Sequence, residues 1–402
     1  MISLADIQAA RQRIRGRIYL TPAPLSATLS RATGNALYLK LENLHDTGSF
    51  KERGALNRIL TMTDDERSRG VITASAGNHG QAVAYHATRH GIRARICMPE
   101  FTPIVKVSAV GNYGGEVILY GSNYDEAVSK AKQLAAEEQL TYLPAFNDEA
   151  VIAGQGTIGL ELLEQIPDLE AVVVPVGGGG LIGGIACAIH ETRRGVRIVG
   201  VQAAAVPSMQ AAVREHFPVL VPAASTIADG IAVREVGTLT LPLFEKYVDE
   251  LVTVEDEEIA MAILWLLEKE KTVAEGAGAA ALAAMLRHKT TLQDKKVAVV
   301  VSGGNIDVLM ISHIIERGMV KDGRLVRVRV ELPDHPGGLQ KLAGLIASLR
   351  ANIVQATHDR AYYGVALGNT IIDLTIETRG PEHVEQILQR LTEAAYLFER
   401  VR

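Results

Sequence analysis

One lysine of this chain stands where it could do covalent chemistry. Lys51, in Thr47-Gly48-Ser49-Phe50-Lys51-Glu52-Arg53, follows an aromatic residue in a Gly/Ser turn that leads into a helix. A lysine at a tight turn can be desolvated and kept partly neutral, and the neutral amine is the form that condenses with an aldehyde or ketone. On its own the heptapeptide reads more readily as a solvated lysine at a helix start. Partners elsewhere in the chain must decide between the two.

Pro175-Val176-Gly177-Gly178-Gly179-Gly180-Leu181 follows an apolar run and opens a small-residue helix. Unhindered backbone N–H groups converging at a helix N-terminus form a phosphate cradle. The Lys-Ser/Thr of a nucleoside-triphosphate loop and the spacing of a dinucleotide fingerprint are both missing, which favours a small monophosphate ligand. A tight strand-to-helix turn would need only one or two glycines. Ala74-Ser75-Ala76-Gly77-Asn78-His79-Gly80 also lies between a strand and a helix, and its backbone donors with the Asn78 amide could hold a small carboxylate. It reads equally as an Asn/Gly cap, and His79 by itself reads as a structural histidine. In Val301-Ser302-Gly303-Gly304-Asn305, Ser302 could hydrogen-bond a ring nitrogen or cap a helix. Glu275, in Ala274-Glu275-Gly276-Ala277-Gly278, is either a solvated carboxylate or a site residue. Together these groups describe pyridoxal phosphate: an aldehyde for Lys51, a phosphate for Gly177 to Gly180 and a pyridine nitrogen for Ser302.

The elements that must position them alternate. Short β-branched runs (Val71 to Thr73, Ile92 to Met98, Glu116 to Tyr120, Thr141 to Pro144, Ala171 to Val176, Val196 to Gln202, Val297 to Val301) are separated by helical stretches, among them ones from about Gln81, near Val105 and after Asn123. Strand–helix alternation predicts an α/β fold with open, mostly parallel sheets, which bind ligands at the carboxyl ends of their strands. A polar connector is expected at Arg317 to Arg324, with a domain boundary there. Beyond it the order is β-α-β-β-α-β: a strand through Val326 and Leu332, the turn Asp334-His335-Pro336-Gly337-Gly338, a helix through Leu339 to Ile346, strands at Asn352 to His358 and Asn369 to Glu377, a helix from Glu382, and a strand near Leu397.

At 402 residues and 48% hydrophobic, the chain can bury a large core divided among two or three domains. A net charge of −5 with no Lys/Arg block argues against nucleic acid as a partner. Cys97 and Cys187 lack metal-ligand spacing, which fits buried thiols in a reducing compartment and no metal site. No apolar run is long enough to span a membrane. Ser3 to Gly16 reads as an amphipathic helix with Asp6 placed for a Ser3 cap rather than as a signal, so the expected location is the cytoplasm.

Ser49-Phe50-Lys51, Ser75-Ala76-Gly77-Asn78-His79, Gly177 to Gly180 and Ser302-Gly303-Gly304-Asn305 resemble the fold-type II pyridoxal-phosphate enzymes. With Thr226-Ile227-Ala228-Asp229-Gly230 and Ala274-Glu275-Gly276-Ala277-Gly278 they resemble more closely the threonine ammonia-lyases (threonine dehydratases). The resemblance runs from about Thr21 to Asp307, and the C-terminal segment is similar to an ACT domain. It implies a catalytic domain over 1–322, with a small lobe at roughly 48–148 inserted in the large one, and an ACT-like regulatory domain over 323–402. It also implies a cofactor site at Phe50, Lys51, Asn78, Gly177, Gly178, Gly179, Gly180, Leu181, Glu275 and Ser302, with Lys51 as catalytic base, and a substrate-carboxylate site at Ser75, Ala76, Gly77, Asn78 and His79.

A regulatory turn at Asp334, His335, Pro336, Gly337, Gly338 and Leu339, taking isoleucine or valine, follows from the ACT likeness. The substrates would be L-threonine and L-serine, and the assembly a homotetramer. The rival within the family, serine racemase, needs a second acid–base group on the opposite face of the cofactor, and at the position where racemases carry that serine this chain has Ala76, which cannot shuttle a proton. Gln202 and Ser208 replace acidic residues of relatives that bind a divalent cation, which leaves no hard anionic ligands there. Two further readings are an inactive amino-acid sensor, against which Lys51 argues, and a β-replacement enzyme like the cysteine synthases.

Overall fold

The computed structural model describes residues 1–359 and 366–401. They form two compact units, Met1–Ile306 and Asp307–Arg402.

The first unit holds two parallel sheets. The strands are β1 (Ala36–Leu41), β2 (Val71–Ala74), β3 (Ala94–Met98), β4 (Glu116–Leu119), β5 (Thr141–Tyr142), β6 (Ala171–Pro175), β7 (Arg197–Ala203), β8 (Glu250–Val254) and β9 (Lys296–Val301). The large sheet runs β1-β9-β6-β7-β8 and the small one β4-β3-β2-β5, with every pairing parallel. The all-apolar run of β6, Ala-Val-Val-Val-Pro, is buried along its whole length, as a central strand covered by helices on both faces must be. Two strands escape the sequence pattern. β1 carries Lys40 inside its apolar run, and β8 is a half-buried edge strand that mixes Glu250 and Thr253 with its apolar residues.

Two boundaries differ from expectation. The helix placed at about Gln81 begins at Asn78, because Gly77 serves as its cap, so Asn78 and His79 lie in its first turn. Arg317 to Arg324 is not a connector: the helix Val308–Lys321 runs through most of it, with Ile314 buried, and ends only where Gly323 takes φ +66. Its apolar positions carry helical periodicity through the charged residues, and segment 307–322 groups with the C-terminal unit.

That second unit has β10 (Leu325–Pro333), a helix Gly338–Ser348, β11 (Asn352–Asp359), β12 (Asn369–Glu377), a helix Pro381–Glu393 and β13 (Leu397–Val401). The sheet is antiparallel in the order β11-β12-β10-β13. Alternation in β10 turns Val326, Val328, Val330 and Leu332 onto a core with Leu342, Ile346, Val384, Ile387 and Leu391. In the turn Asp334 to Leu339, Gly337 caps the following helix at φ +90 and Gly338 is buried, while the other residues of the turn are exposed.

Behind the Lys51 turn lies a buried ionic cluster with no signature in the sequence. Arg53, fully buried, donates through Nε and Nη2 to Glu42 at 2.7 and 2.8 Å and through Nη1 and Nη2 to Glu161 at 2.5 and 2.8 Å. Lys40 Nζ donates to the same Glu161 at 2.6 Å and to the Thr21 carbonyl at 2.8 Å. The cluster ties the helix Lys51–Leu60 to β1 and to the helix Glu149–Gln165. Truncating one partner of such a pair leaves uncompensated charge in the interior, so Arg53→Ala is expected to lower stability by about 3–5 kcal/mol in urea denaturation. A loss below about 1 kcal/mol would contradict this account.

Candidate active site

The chain leaves β1 through a short turn, Glu42–Leu44, and enters Thr47 to Phe50. Gly48 takes φ +74, and a Cβ on it would lie 2.6 Å from Asn305 Oδ1, so both the turn and its neighbour require glycine. Ser49 pairs with Gly303 in an isolated antiparallel bridge, the Phe50 N–H donates to the Ser302 carbonyl at 3.1 Å, and the Gly304 N–H donates to the Gly48 carbonyl at 2.9 Å. The lysine turn is thereby laced to the end of β9, the strand adjacent to β1.

Lys51 is the first residue of its helix; its Nζ donates to the Ala145 carbonyl at 2.8 Å and lies 5.2 Å from the centre of the Phe50 ring. The residue is half-buried by area. Its amine is packed deeply enough that desolvation lowers the pKa to about 8, partly opposed by the Glu275 carboxylate.

Three residues beyond β5, Ala145 supplies that carbonyl, and the next residue, Phe146, reaches the glycine run. A Cβ on Gly178 would lie 2.5 Å from the Phe146 ring, and one on Gly179, at φ +94, would lie 2.8 Å from Met209 and Thr240. The Thr240 hydroxyl donates to the Gly178 carbonyl at 2.6 Å. Thus part of the four-glycine run is explained by tight packing, and its backbone is held by named partners. Gly179 caps the helix Gly180–Thr192, so the N–H groups of Gly180, Leu181 and the next residue have no acceptor within the helix.

The turn from Ser75 follows β2, next to β5. Ser75 Oγ accepts from the Gly77 N–H at 3.2 Å, Ala76 is half-buried, and the N–H groups of Asn78 and His79 open the helix Asn78–Arg89. His79 turns its imidazole away: Nε2 bonds the Leu143 carbonyl at 3.0 Å, and burial, followed by the Lys51 charge, lowers its pKa to about 3. Asn78 Nδ2 donates to Glu275 Oε1 at 2.7 Å. Glu275 is buried, and burial with the nearby Asp229 charge raises its pKa to about 7. Ser302, also buried, is the first residue after β9 and caps no helix; the cap of the next helix is Asp307.

The structure therefore gathers the lysine, the glycine run, the Asn78 turn, Glu275 and the Ser302 turn at neighbouring carboxyl ends of two sheets. A half-buried amine beside a donor-rich helix N-terminus fits a phosphorylated aldehyde. A family model described as pyridoxal-phosphate dependent enzyme matches residues 14–303. The chain belongs to the pyridoxal-phosphate-dependent enzymes. An ACT domain model matches residues 326–395. Within the family, an L-threonine ammonia-lyase of Thermotoga maritima is 48% identical over 98% of this chain and 98% of its own. Among solved structures, threonine deaminase isoform 2 from Solanum lycopersicum is 36% identical with a TM-score of 0.74, covering 79% of this chain and 87% of that one. Maize serine racemase also superposes at 0.74, with 32% identity over 79% of this chain and 98% of that one.

Several partners within this pyridoxal-phosphate enzyme are invisible to sequence reasoning. Ala145 contributes only a backbone carbonyl, and Phe146 and Thr240 act by shape and by bonds to the glycine backbone. At the position read as unsuited to a cation, Gln202 is buried, with Nε2 3.3 Å from Ser208 Oγ and Oε1 accepting from the Gln210 N–H at 3.2 Å. Among the described residues no group of three or more His, Cys, Asp or Glu is placed to hold a metal ion, and no helix is long and apolar enough to cross a membrane.

Two outcomes follow for cofactor uptake. An ordinary lysine near pKa 10.4 is neutral in only about one molecule in two thousand at pH 7, whereas one near 8 is neutral in roughly a tenth. Capture of pyridoxal phosphate by the apo-protein, followed by visible absorbance, should speed up about tenfold per pH unit below pH 8 and level off above it; a rate that keeps climbing to pH 10 would contradict the lowered pKa. Gly178→Ala, which forces a methyl into the Phe146 ring, should cost about 1–3 kcal/mol of packing and weaken cofactor affinity by tenfold or more, read by equilibrium dialysis.

Proposed function

We propose that this enzyme is an L-threonine ammonia-lyase that also accepts L-serine, releasing ammonia and 2-oxobutanoate or pyruvate. The observation that carries the reading is a half-buried Lys51 amine, with its pKa lowered to about 8, beside a turn in which the only side chain at position 76 is a methyl.

When bound, pyridoxal phosphate supplies an aldehyde for amine capture and a conjugated ring that takes up the electron pair of the broken Cα–H bond. The backbone of Gly177 to Leu181 would hold its phosphate, Asn78 its ring oxygen and Ser302 its ring nitrogen, with Phe50 packed alongside and Glu275 steadying Asn78. Lys51 Nζ would be the group that holds the cofactor and, once free, the base that takes the α-proton, for which a pKa near 8 suits neutral pH. The N–H groups of the turn Ser75 to His79 hold the substrate carboxylate and so fix which Cα bond faces Lys51. The neutral Ser302 hydroxyl, unlike an aspartate, would not enforce a proton on the ring nitrogen and so would suit loss of the β-hydroxyl. Ala76 offers no proton on the opposite face, so racemisation has no second acid.

The unit Met1–Ile306 would form the catalytic part and the unit from Asp307 the regulatory part, with isoleucine or valine acting at Asp334 to Leu339. The setting of this reading is a cytoplasmic homotetramer serving isoleucine biosynthesis or threonine catabolism.

Purified protein is expected to release 2-oxobutanoate from L-threonine, and Lys51→Ala to lose at least about four orders of magnitude of that rate together with the visible absorbance of covalently held cofactor. Chiral analysis should find negligible interconversion of L- and D-serine; rapid interconversion would favour the racemase reading instead. Isoleucine or valine should alter the kinetics, and unchanged kinetics without binding by calorimetry would remove the regulatory assignment.

A further inference from the structure

Three loops distant in sequence meet at the Asn305 amide. Its Nδ2 donates to the Thr47 carbonyl at 2.6 Å and to Asn78 Oδ1 at 2.8 Å, so both of its hydrogens are used on two different loops. The first loop carries Lys51, and the second follows β2 of the small sheet. Asn305 itself follows β9 of the large sheet, and its amide is packed against Gly48, where a Cβ would come within 2.6 Å of Oδ1. The residue is exposed at the rim, yet its amide is gripped on both sides.

We propose that Asn305 is a positioning residue that holds the Asn78 amide in one orientation and ties it to the turn carrying Lys51, an inference that rests on Asn78 being a ligand of the cofactor. A flipped Asn78 would set its Nδ2 against the Asn305 Nδ2 and its Oδ1 against Glu275 Oε1, opposing donor to donor and acceptor to acceptor. Glu275 alone does not secure the orientation, because its carboxyl, once protonated, could donate to a flipped Asn78. Asn305 resists the flip in either protonation state, since it offers only hydrogens on that side. With Asn78 Oδ1 and one Nδ2 hydrogen engaged, the other Nδ2 hydrogen is left for a ligand.

The test uses full-length Asn305→Asp, which keeps the shape and removes both donors, and Asn305→Ala, which adds no charge and carries the test if the first does not fold. Melting temperature, cofactor dissociation constant, the absorbance and circular dichroism of the bound cofactor, and kcat and KM for L-threonine are measured on protein loaded with pyridoxal phosphate. The expected result is a melting temperature within a few degrees of wild type, an altered cofactor spectrum, and kcat lower by about tenfold or more with a much smaller change in KM. Wild-type spectra and kcat in the folded variants would overturn the proposal. So would losses that vanish once activity is corrected for bound cofactor. If wild-type protein loads the cofactor but releases no 2-oxo acid from L-threonine, the ammonia-lyase reading fails, while the spectral comparison still decides the role of Asn305.

Discussion

Parallel strands present their carboxyl ends at one edge of a sheet, and this constraint assembles the site. In the large sheet β1, β9 and β6 are successive neighbours, so the turn with Lys51, the turn after Ser302 and the glycine run emerge side by side although they are far apart in sequence. In the small sheet β2 and β5 are neighbours, which puts the Asn78 turn next to the Ala145 carbonyl that receives the lysine amine. Phe146 then joins the two halves by packing against Gly178. Each chemical group stands on or beside a loop, but each loop is anchored to a strand end, and that anchoring gives the groups fixed relative positions.

Electrostatics follows from the same enclosure. Burial lowers the lysine and raises Glu275, so an amine near 8 and a carboxyl near 7 stand in one site with their ordinary separation largely removed. His79, under the same burial, stays neutral and serves the fold by bonding the Leu143 carbonyl. Immediately behind, Arg53, Lys40, Glu42 and Glu161 are paired at short range, Arg53 with both carboxylates and Lys40 with Glu161. Two residues apart on a single helix, the cations thus have opposite fates: Lys51 makes no ion pair among the described residues and its pKa falls, while Arg53 pairs with two carboxylates and its pKa rises.

Much of this was legible in the residues themselves. Runs such as Ala171 to Val176 and Val297 to Val301 have no polar face to give to water, so they declare buried parallel strands, and the glycine-rich turns after them declare places where backbone must come close to something. The alternation in Leu325–Pro333 likewise declares a sheet covered on one side. What failed to show were features whose local pattern contradicts their environment: Lys40 interrupts β1 because its partners come from Glu161 and Thr21, and the charges near Arg317 disguise a helix whose apolar face continues beneath them.

Residue type determined the chemistry on offer: an amine, a hydroxyl in place of an aspartate, a methyl where a second acid would be needed, and a run of free N–H groups. Those are properties of single side chains or short turns, and no tertiary contact can supply them if the residues are missing. Tertiary structure decided which groups share a site, which carbonyl receives the lysine, which way His79 and Asn78 face, and how far burial moves a pKa. Such outcomes depend on distances between segments far apart in the chain and on the exclusion of water, and neither is encoded in any local stretch of sequence.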